Sequence, residues 1–376
     1  MSRPDSRFSG NEPNLKQPLV GGFWTGSQAE YFQLFAATAR ALKRVSPRLQ
    51  VGGPTTSGAP AWVADFLAFG ERAQVPIDFV SSHFYPAAGE RDGLAAALAA
   101  ITNLTDVGGG GDAALPVVLS EFNSGLHTGC CHDDPFAAAY LVYTLGQVQR
   151  YATRGVASLM YWCFSDVFEE QQPVATNADR PPFHNAFGLQ TMDGIKKPAF
   201  RALELLAAFP NETLPATRAV SGGDRPRHPA NHIDAYAGVI PPRFDPPRGS
   251  PGSSGTNVSV MLSSWSPTLL PVADQQVGLE VLFPSIVSIS GPAATCTATI
   301  TWVPDPKAVW RSMGAPTTLN ATQLRLLELA AVLAPSPIGC TVVTMVDDPA
   351  GTGSGTIARV LVRMPVQAAV KVSIVL

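Results

Sequence analysis

From the first residues to about Leu206, short apolar runs alternate with amphipathic stretches, the pattern of βα units around a parallel sheet. Five runs read as strands: a poor one at 7–10, then 49–52, 77–82, 116–120 and 156–162, each followed by a polar or glycine-rich loop. Helical periodicity fills the gaps. Tyr31, Leu34, Phe35, Thr38 and Leu42 share one face of a first helix, Trp62, Phe66 and Phe69 mark a second, and 198–209 supplies the last.

Beyond Asn211 the text turns to Pro, Gly and Ser, and RPRHPANH and PPRFDPPRGSPGSSG read as an exposed linker or hairpin insertion. Alternating, β-branched segments follow at 257–263, 278–283, 294–302, 339–345, 357–364 and 368–375, interrupted by one helix at about 321–333. This predicts three regions: an α/β domain over 1–212, a Pro/Gly-rich linker or insertion over 213–255, and a β-sandwich over 256–376.

Composition narrows the function. A chain of 376 residues that is 45% hydrophobic and 15% charged can bury a large core. Its formal net charge of −3 lacks the basic excess on which phosphate-backbone binding depends, so nucleic acid is not an expected partner and a neutral ligand fits better. No stretch approaches the ~18 consecutive apolar residues of a membrane span, and MSRPDSRFSG has no apolar core of a signal peptide. Asn-x-Ser/Thr acceptors at Asn103, Asn211, Asn257 and Asn320 point instead to a glycoprotein with a secretory history. The expectation is a full-length form that is secreted or lysosomal/vacuolar. Five cysteines are too few for a disulfide scaffold. Cys296 and Cys340 lie in strand-like segments, where a bridge and two buried thiols are both compatible with the text.

Two carboxylates stand out. Gly10-Asn11-Glu12-Pro13-Asn14 closes the first strand and opens a loop, which puts Glu12 at the C-terminal mouth of the sheet. Leu119-Ser120-Glu121-Phe122-Asn123 repeats the arrangement at the fourth strand. The two glutamates lie about 109 residues apart, close to three βα units of roughly 35 residues, so they belong on strands three apart. Glycoside cleavage needs such a pair, one carboxyl to protonate the leaving oxygen and one to attack or screen the anomeric carbon. Taken singly, each is as well explained as a glutamate at a turn. The loop His127-Thr128-Gly129-Cys130-Cys131-His132-Asp133-Asp134 has ligand-type residues, but adjacent cysteines poorly satisfy a tetrahedral zinc site. An exposed loop with Asp133 or Asp134 capping the next helix is the simpler expectation. No metal site and no cofactor are expected.

These motifs resemble glycoside hydrolase family 39, the family of β-xylosidases and α-L-iduronidase. The likeness runs in order through Asn11-Glu12-Pro13-Asn14-Leu15, Phe23-Trp24-Thr25-Gly26, Glu30-Tyr31-Phe32, Val51-Gly52-Gly53-Pro54, Ser82-His83-Phe84-Tyr85-Pro86 and Ser120-Glu121-Phe122-Asn123-Ser124. It continues through Tyr161-Trp162-Cys163-Phe164-Ser165-Asp166, Phe187-Gly188-Leu189, Gly194-Ile195-Lys196-Lys197-Pro198 and, in the C-terminal region, Val309-Trp310-Arg311-Ser312-Met313-Gly314. The resemblance implies a (β/α)8 barrel followed by a β-sandwich, and a retaining exo-glycosidase acting on β-D-xylosides such as xylo-oligosaccharides. An α-L-iduronidase-like enzyme and a non-catalytic carbohydrate-binding remnant are the alternatives. It further implies Glu12 as general acid/base, Glu121 as nucleophile, and Asn11 on the sugar 2-hydroxyl. His83 and Tyr85 would line the catalytic subsite, Trp162 would stack on the pyranose, and Glu169 and Glu170 would accept from its hydroxyls.

The text departs from that pattern at its start. Five strands precede the sandwich where a closed barrel has eight, and Ser6-Arg7-Phe8-Ser9-Gly10 lacks the apolar run expected before Asn-Glu-Pro. The reading is therefore of barrel strands four to eight, in a chain expected to be N-terminally incomplete. Oligomeric state is left open.

Overall fold

In the computed structural model, residues 6–8, 10–15, 23–87, 93–105, 114–126, 131–152, 155–167, 180–210, 212–214, 232–240, 257–266, 274–284, 295–345 and 355–375 are described. The chain divides into two compact units, Met1–Thr128 with Gln147–Ala175, and Gly129–Gly146 with Thr176–Leu376.

The first unit holds a five-stranded sheet in sequence order: β1 (Ser6–Phe8), β2 (Gln50–Ser57), β3 (Phe79–Phe84), β4 (Val117–Phe122) and β5 (Val156–Tyr161). Every adjacent pair is parallel. Parallel neighbours need crossover connections, supplied here by α1 (Gln28–Val45), α2 (Pro60–Ala73), α3 (Gly93–Thr105) and α4 (Pro135–Ala152). The start of α1 is set locally: Ser27 caps the Glu30 N–H while the Glu30 carboxylate accepts from the Ser27 N–H at 2.7 Å. Its apolar stripe, Tyr31, Phe32, Phe35, Ala36 and Ala39, closes with Val51 of β2 and Phe66 of α2 into one buried cluster. Three of the five strands run on past the ends that the apolar runs suggested. β2 continues through Pro54, Thr55 and Thr56, all buried, and β3 and β4 run on to Phe84 and Phe122.

The second unit is built mainly from antiparallel strands. A six-stranded sheet has the order β11 (Pro335–Ile338), β10 (Thr297–Trp302), β14 (Ala368–Val375), β8 (Asn257–Trp265), β7 (His232–Ile240) and β6 (Glu212–Leu214). A three-stranded sheet has β12 (Cys340–Met345), β13 (Gly355–Met364) and β9 (Gln275–Pro284). Alternate residues of β8, β10, β13 and β14, among them Val260, Ile300, Val362 and Val372, meet in one core cluster against which Val277, Leu279 and Val281 of β9 pack. Cys296 and Cys340 are bonded, joining the residue before β10 in one sheet to the first residue of β12 in the other.

Three features differ from the sequence reading. β7 lies within the stretch expected as linker or insertion, pairing its nine residues with β8. β11 carries Pro335 and Pro337, tolerated because it is the outer strand of its sheet among the described residues. Two helices, not one, interrupt the strands: α6 (Pro306–Ser312), capped by Asp305, and α7 (Ala321–Ala330), capped by Asn320.

The loop before α4 is not exposed among its described residues, because Cys131, His132 and Asp133 are buried. Asp133 is engaged elsewhere than at the helix start: its carboxylate pairs with Lys197 Nζ at 2.6 Å and accepts from the Asn185 N–H at 2.6 Å. Lys197 precedes α5 (Pro198–Ala207) and also donates to the Ala186 carbonyl at 2.9 Å. Lys307 of α6 joins the cluster, 3.0 Å from Asp134 and 3.1 Å from the Asn185 amide oxygen. Asp133 and Lys197 are both fully buried, so each charge depends on the other.

Candidate active site

Three strands deliver the site. Glu12 follows β1, and its own N–H donates to the Thr55 carbonyl of β2 at 2.9 Å. Its φ of 40° is a conformation that a non-glycine residue adopts only when its surroundings enforce it. The enforcement is visible: Asn14 accepts from the Ser57 N–H at 2.9 Å and donates to the Ser57 carbonyl at 3.1 Å, pinning the turn after Glu12 to the end of β2. Tyr31 of α1 adds a third tie, donating to the Pro54 carbonyl at 2.9 Å.

His83 and Glu121 are register partners on β3 and β4. His83 is 3% exposed, and its Nδ1 lies 2.9 Å from Glu12 Oε1 and 3.5 Å from Glu121 Oε2. Nδ1 is thus hydrogen-bonded to Glu12 and stands close to Glu121 as well. The side chains of Glu12 and Glu121 are 12% and 13% exposed, and an oxygen of each lies within 4.8 Å of the other and of the imidazole nitrogen. Tyr85, just past β3, donates a short hydrogen bond to Glu121 Oε1. That leaves Oε2 as the oxygen facing His83.

The remaining expected residues divide. Asn11 is half-buried beside Glu12, and Trp162 is half-buried at the end of β5, where its N–H donates to the Phe122 carbonyl at 3.0 Å. Glu169 and Glu170 lie outside the described residues. Two further residues organise the site without having been singled out for that role. Asn14 clamps the Glu12 turn. Asn123, fully buried two positions after Glu121, donates to the Trp162 carbonyl and accepts from Tyr161 Oη at 3.0 Å and from the Ser124 N–H at 2.6 Å. It ties the end of β4 to the end of β5. The signal available was an amide directly behind each motif carboxylate, a residue type suited to bracing turns.

Two nearly buried carboxyls thus stand beside one imidazole at the C-terminal ends of the strands of a parallel α/β sheet, an arrangement whose chemistry suits a pair of carboxyls acting on one ligand. Comparison with known proteins then fixes the family. Residues 9–337 match the family model described as Glycosyl hydrolases family 39, and the chain belongs to that family. It is 28% identical over 339 residues to a β-xylosidase of Caldicellulosiruptor saccharolyticus, covering 86% of this chain and 60% of that protein. It is 33% identical over 223 residues to a β-xylosidase of Geobacillus stearothermophilus, covering 54% of this chain and 41% of that protein. The chain therefore spans about half the length of the curated relatives it matches. Among solved structures, a monomeric β-xylosidase from Caulobacter crescentus CB15 shares the fold with a TM-score of 0.62 at 24% identity, over 97% of this chain and 68% of that one. A glucosidase from Croceicoccus marinus does so with 0.55 at 15%, over 97% and 67%. Among the described residues no helix is long and apolar enough to cross a membrane.

Proposed function

We propose that the chain carries the reacting groups of a retaining exo-glycosidase that hydrolyses β-D-xylosides such as xylo-oligosaccharides. The observation that carries this reading is the approach of the Glu12 and Glu121 carboxylates to within 4.8 Å across His83. Retaining glycosidases hold their carboxyls about 5–5.5 Å apart, whereas inverting ones need roughly 6.5–9.5 Å to admit a water between carboxylate and sugar. In this scheme Glu121 attacks the anomeric carbon, while Glu12 gives its proton to the departing glycosidic oxygen. Water, deprotonated by Glu12, then cleaves the glycosyl ester and restores both groups. Tyr85 holds Glu121 in line, His83 steadies both carboxyls, Asn11 bonds the 2-hydroxyl and Trp162 offers the stacking face. The sugar specificity rests on likeness to two β-xylosidases.

The same reading assigns the parallel sheet to strands four to eight of a (β/α)8 barrel and the antiparallel sheets to a β-sandwich. The order β1 to β5, the crossover helices and the core shared by the two antiparallel sheets support it.

Release of nitrophenol from aryl β-xylosides by the 376-residue chain is the test. Glu121→Ala should abolish turnover. Glu12→Ala should lose it with poor leaving groups, keep part of it with dinitrophenol, which needs no protonation, and yield a β-xylosyl azide when azide is added. An azide product of inverted configuration, or equal loss with all leaving groups, would refute the assignment. Binding of xylose without turnover would favour the remnant reading.

A further inference from the structure

We propose that the Glu12–His83–Glu121 triangle is also a site for a zinc ion, which binds in place of substrate and so inhibits the enzyme. Binding itself does not depend on the glycosidase reading; only its inhibitory consequence does. Three observations carry it. The first is the donor set: one imidazole nitrogen and two carboxylate oxygens are the ligand types found in three-residue zinc sites that keep a fourth position open. Zinc takes nitrogen at about 2.0–2.1 Å and carboxylate oxygen at about 2.0–2.2 Å, so neighbouring ligand atoms of a tetrahedral site stand about 3.3 Å apart.

The second is the spacing. His83 Nδ1 lies 2.9 Å from Glu12 Oε1 and 3.5 Å from Glu121 Oε2, on either side of that edge length. The remaining separation, between the two glutamates, is within 4.8 Å and closes by rotation about the soft terminal torsion of a carboxylate. The third is orientation. Tyr85 donates to Glu121 Oε1 and so turns Oε2 toward the imidazole, the kind of outer hydrogen bond that fixes a metal-ligating carboxylate. Glu12 is held through its backbone by Thr55 and by the turn that Asn14 clamps. His83 is 3% exposed and lies in β3. The imidazole would bind through Nδ1 with its proton on Nε2, so that the Nδ1 lone pair faces the metal. Two carboxylates against a neutral imidazole balance the charge of a divalent cation. The reacting groups of the glycosidase are thereby occupied, and a sugar cannot enter.

Zinc chloride titrated calorimetrically into chelator-treated protein at neutral pH tests this, with kinetics on an aryl β-xyloside as a second readout. One zinc per chain is expected at this site, with affinity at least tenfold weaker in Glu12→Gln and in His83→Asn. Zinc should raise the apparent KM in proportion to its concentration and leave kcat unchanged. Circular dichroism of both variants separates lost ligands from lost fold, and Glu121→Gln, which keeps shape and removes one charge, supplies a third arm. Zinc affinity equal in wild type and variants, or inhibition that leaves KM unchanged, overturns the proposal. If the chain proves inactive on every xyloside yet binds zinc as described, the glycosidase reading falls and this one stands; turnover untouched by zinc reverses that outcome.

Discussion

Replacing Lys197 by methionine should be among the most damaging single changes this fold can suffer away from its carboxylate pair. The side chain is fully buried, 2.6 Å from Asp133, which is fully buried too. Methionine fills most of the lysine stem's volume, so the cost is electrostatic: a carboxylate is left in a dry interior. Breaking a buried pair from one side costs about 3–5 kcal/mol. Here the Asn185 N–H at 2.6 Å and Lys307 Nζ at 3.9 Å still face Asp133 Oδ2, which places the loss near the lower end, about 3 kcal/mol. Asp133→Asn should cost a similar amount, because it removes the carboxylate charge that faces the fully buried Lys197 ammonium at 2.6 Å. In the double variant neither charge remains, and its loss should fall short of the sum of the singles by at least about 2 kcal/mol. Urea unfolding of the four proteins, read at one wavelength of tryptophan fluorescence, measures this cycle. Additive losses, or a loss under about 1 kcal/mol for Lys197→Met, would show that the pair is not the buried anchor described.

Two further outcomes follow from the second unit. Cys296 and Cys340 are 44 positions apart, and a bridge closing a loop of that length restricts the unfolded chain by about 4 kcal/mol; the Cys296→Ser/Cys340→Ser variant should melt well below the oxidised protein, and reductant should lower the melting temperature of the wild type but not of the variant. Desolvation raises the Asp305 carboxyl above its ordinary value, with Asp134 adding to the rise and the Ala308 N–H, Arg311 and Lys307 opposing it. The folded state therefore holds this proton more tightly than the unfolded state, and the associated stability is lost as pH climbs from 3.8 through the folded value. Asp305→Asn keeps an acceptor for the Ala308 N–H at the start of α6 and removes the charge, so it should be slightly more stable than the wild type at pH 7 and no different at pH 3. A larger loss at pH 7 than at pH 3 in thermal melts would contradict that sign.

How far the text exposed this molecule depends on what each signal measures. Apolar runs found β2 to β5 because strands of a parallel sheet are rich in Val, Ile, Leu and Phe, whereas β1, SRF, has no such run. The same signal stopped β2 at Gly52, since Pro54, Thr55 and Thr56 look like loop. They are strand because their hydroxyls have partners across the ladder: Thr55 and Ser81 lie 2.9 Å apart, and Ser82 donates to the Thr56 carbonyl at 2.9 Å. Polar strand ends are what a site at the mouth of a sheet requires, and hydropathy reads them as turns. Prolines hid β11 and the surrounding Pro-rich tract hid β7, although HIDAYAGVI alternates as a strand should. The Asp133–Lys197 pair was invisible for a different reason. A charged residue in a loop is ordinarily solvated, and nothing local distinguishes two that meet across 64 positions of chain. Glu12 was legible as part of a motif, but its positive φ is imposed by Thr55 and Ser57, more than 40 positions away.

What makes the site is a pair of irregularities on either side of β3. The β2–β3 ladder skips Thr55, matching Pro54 with Ser81 and Thr56 with Ser82. The β3–β4 ladder skips Ser120, matching Ser82 with Leu119 and His83 with Glu121. Strand side chains alternate with a period of two, so a one-residue slip exchanges the faces. In an unbroken ladder His83 would stand beside Ser120, and Glu121 would point to the opposite face from the imidazole. The skipped residue brings Glu121 onto the face of His83, and the Thr55 bulge turns a carbonyl outward to receive the N–H of Glu12. Both slips fall within the last residues of the strands, where they re-aim functional side chains and leave the buried pairing of Val80 with Val117 undisturbed. The motif supplies the two carboxylates, while the interrupted register of the sheet decides that they meet.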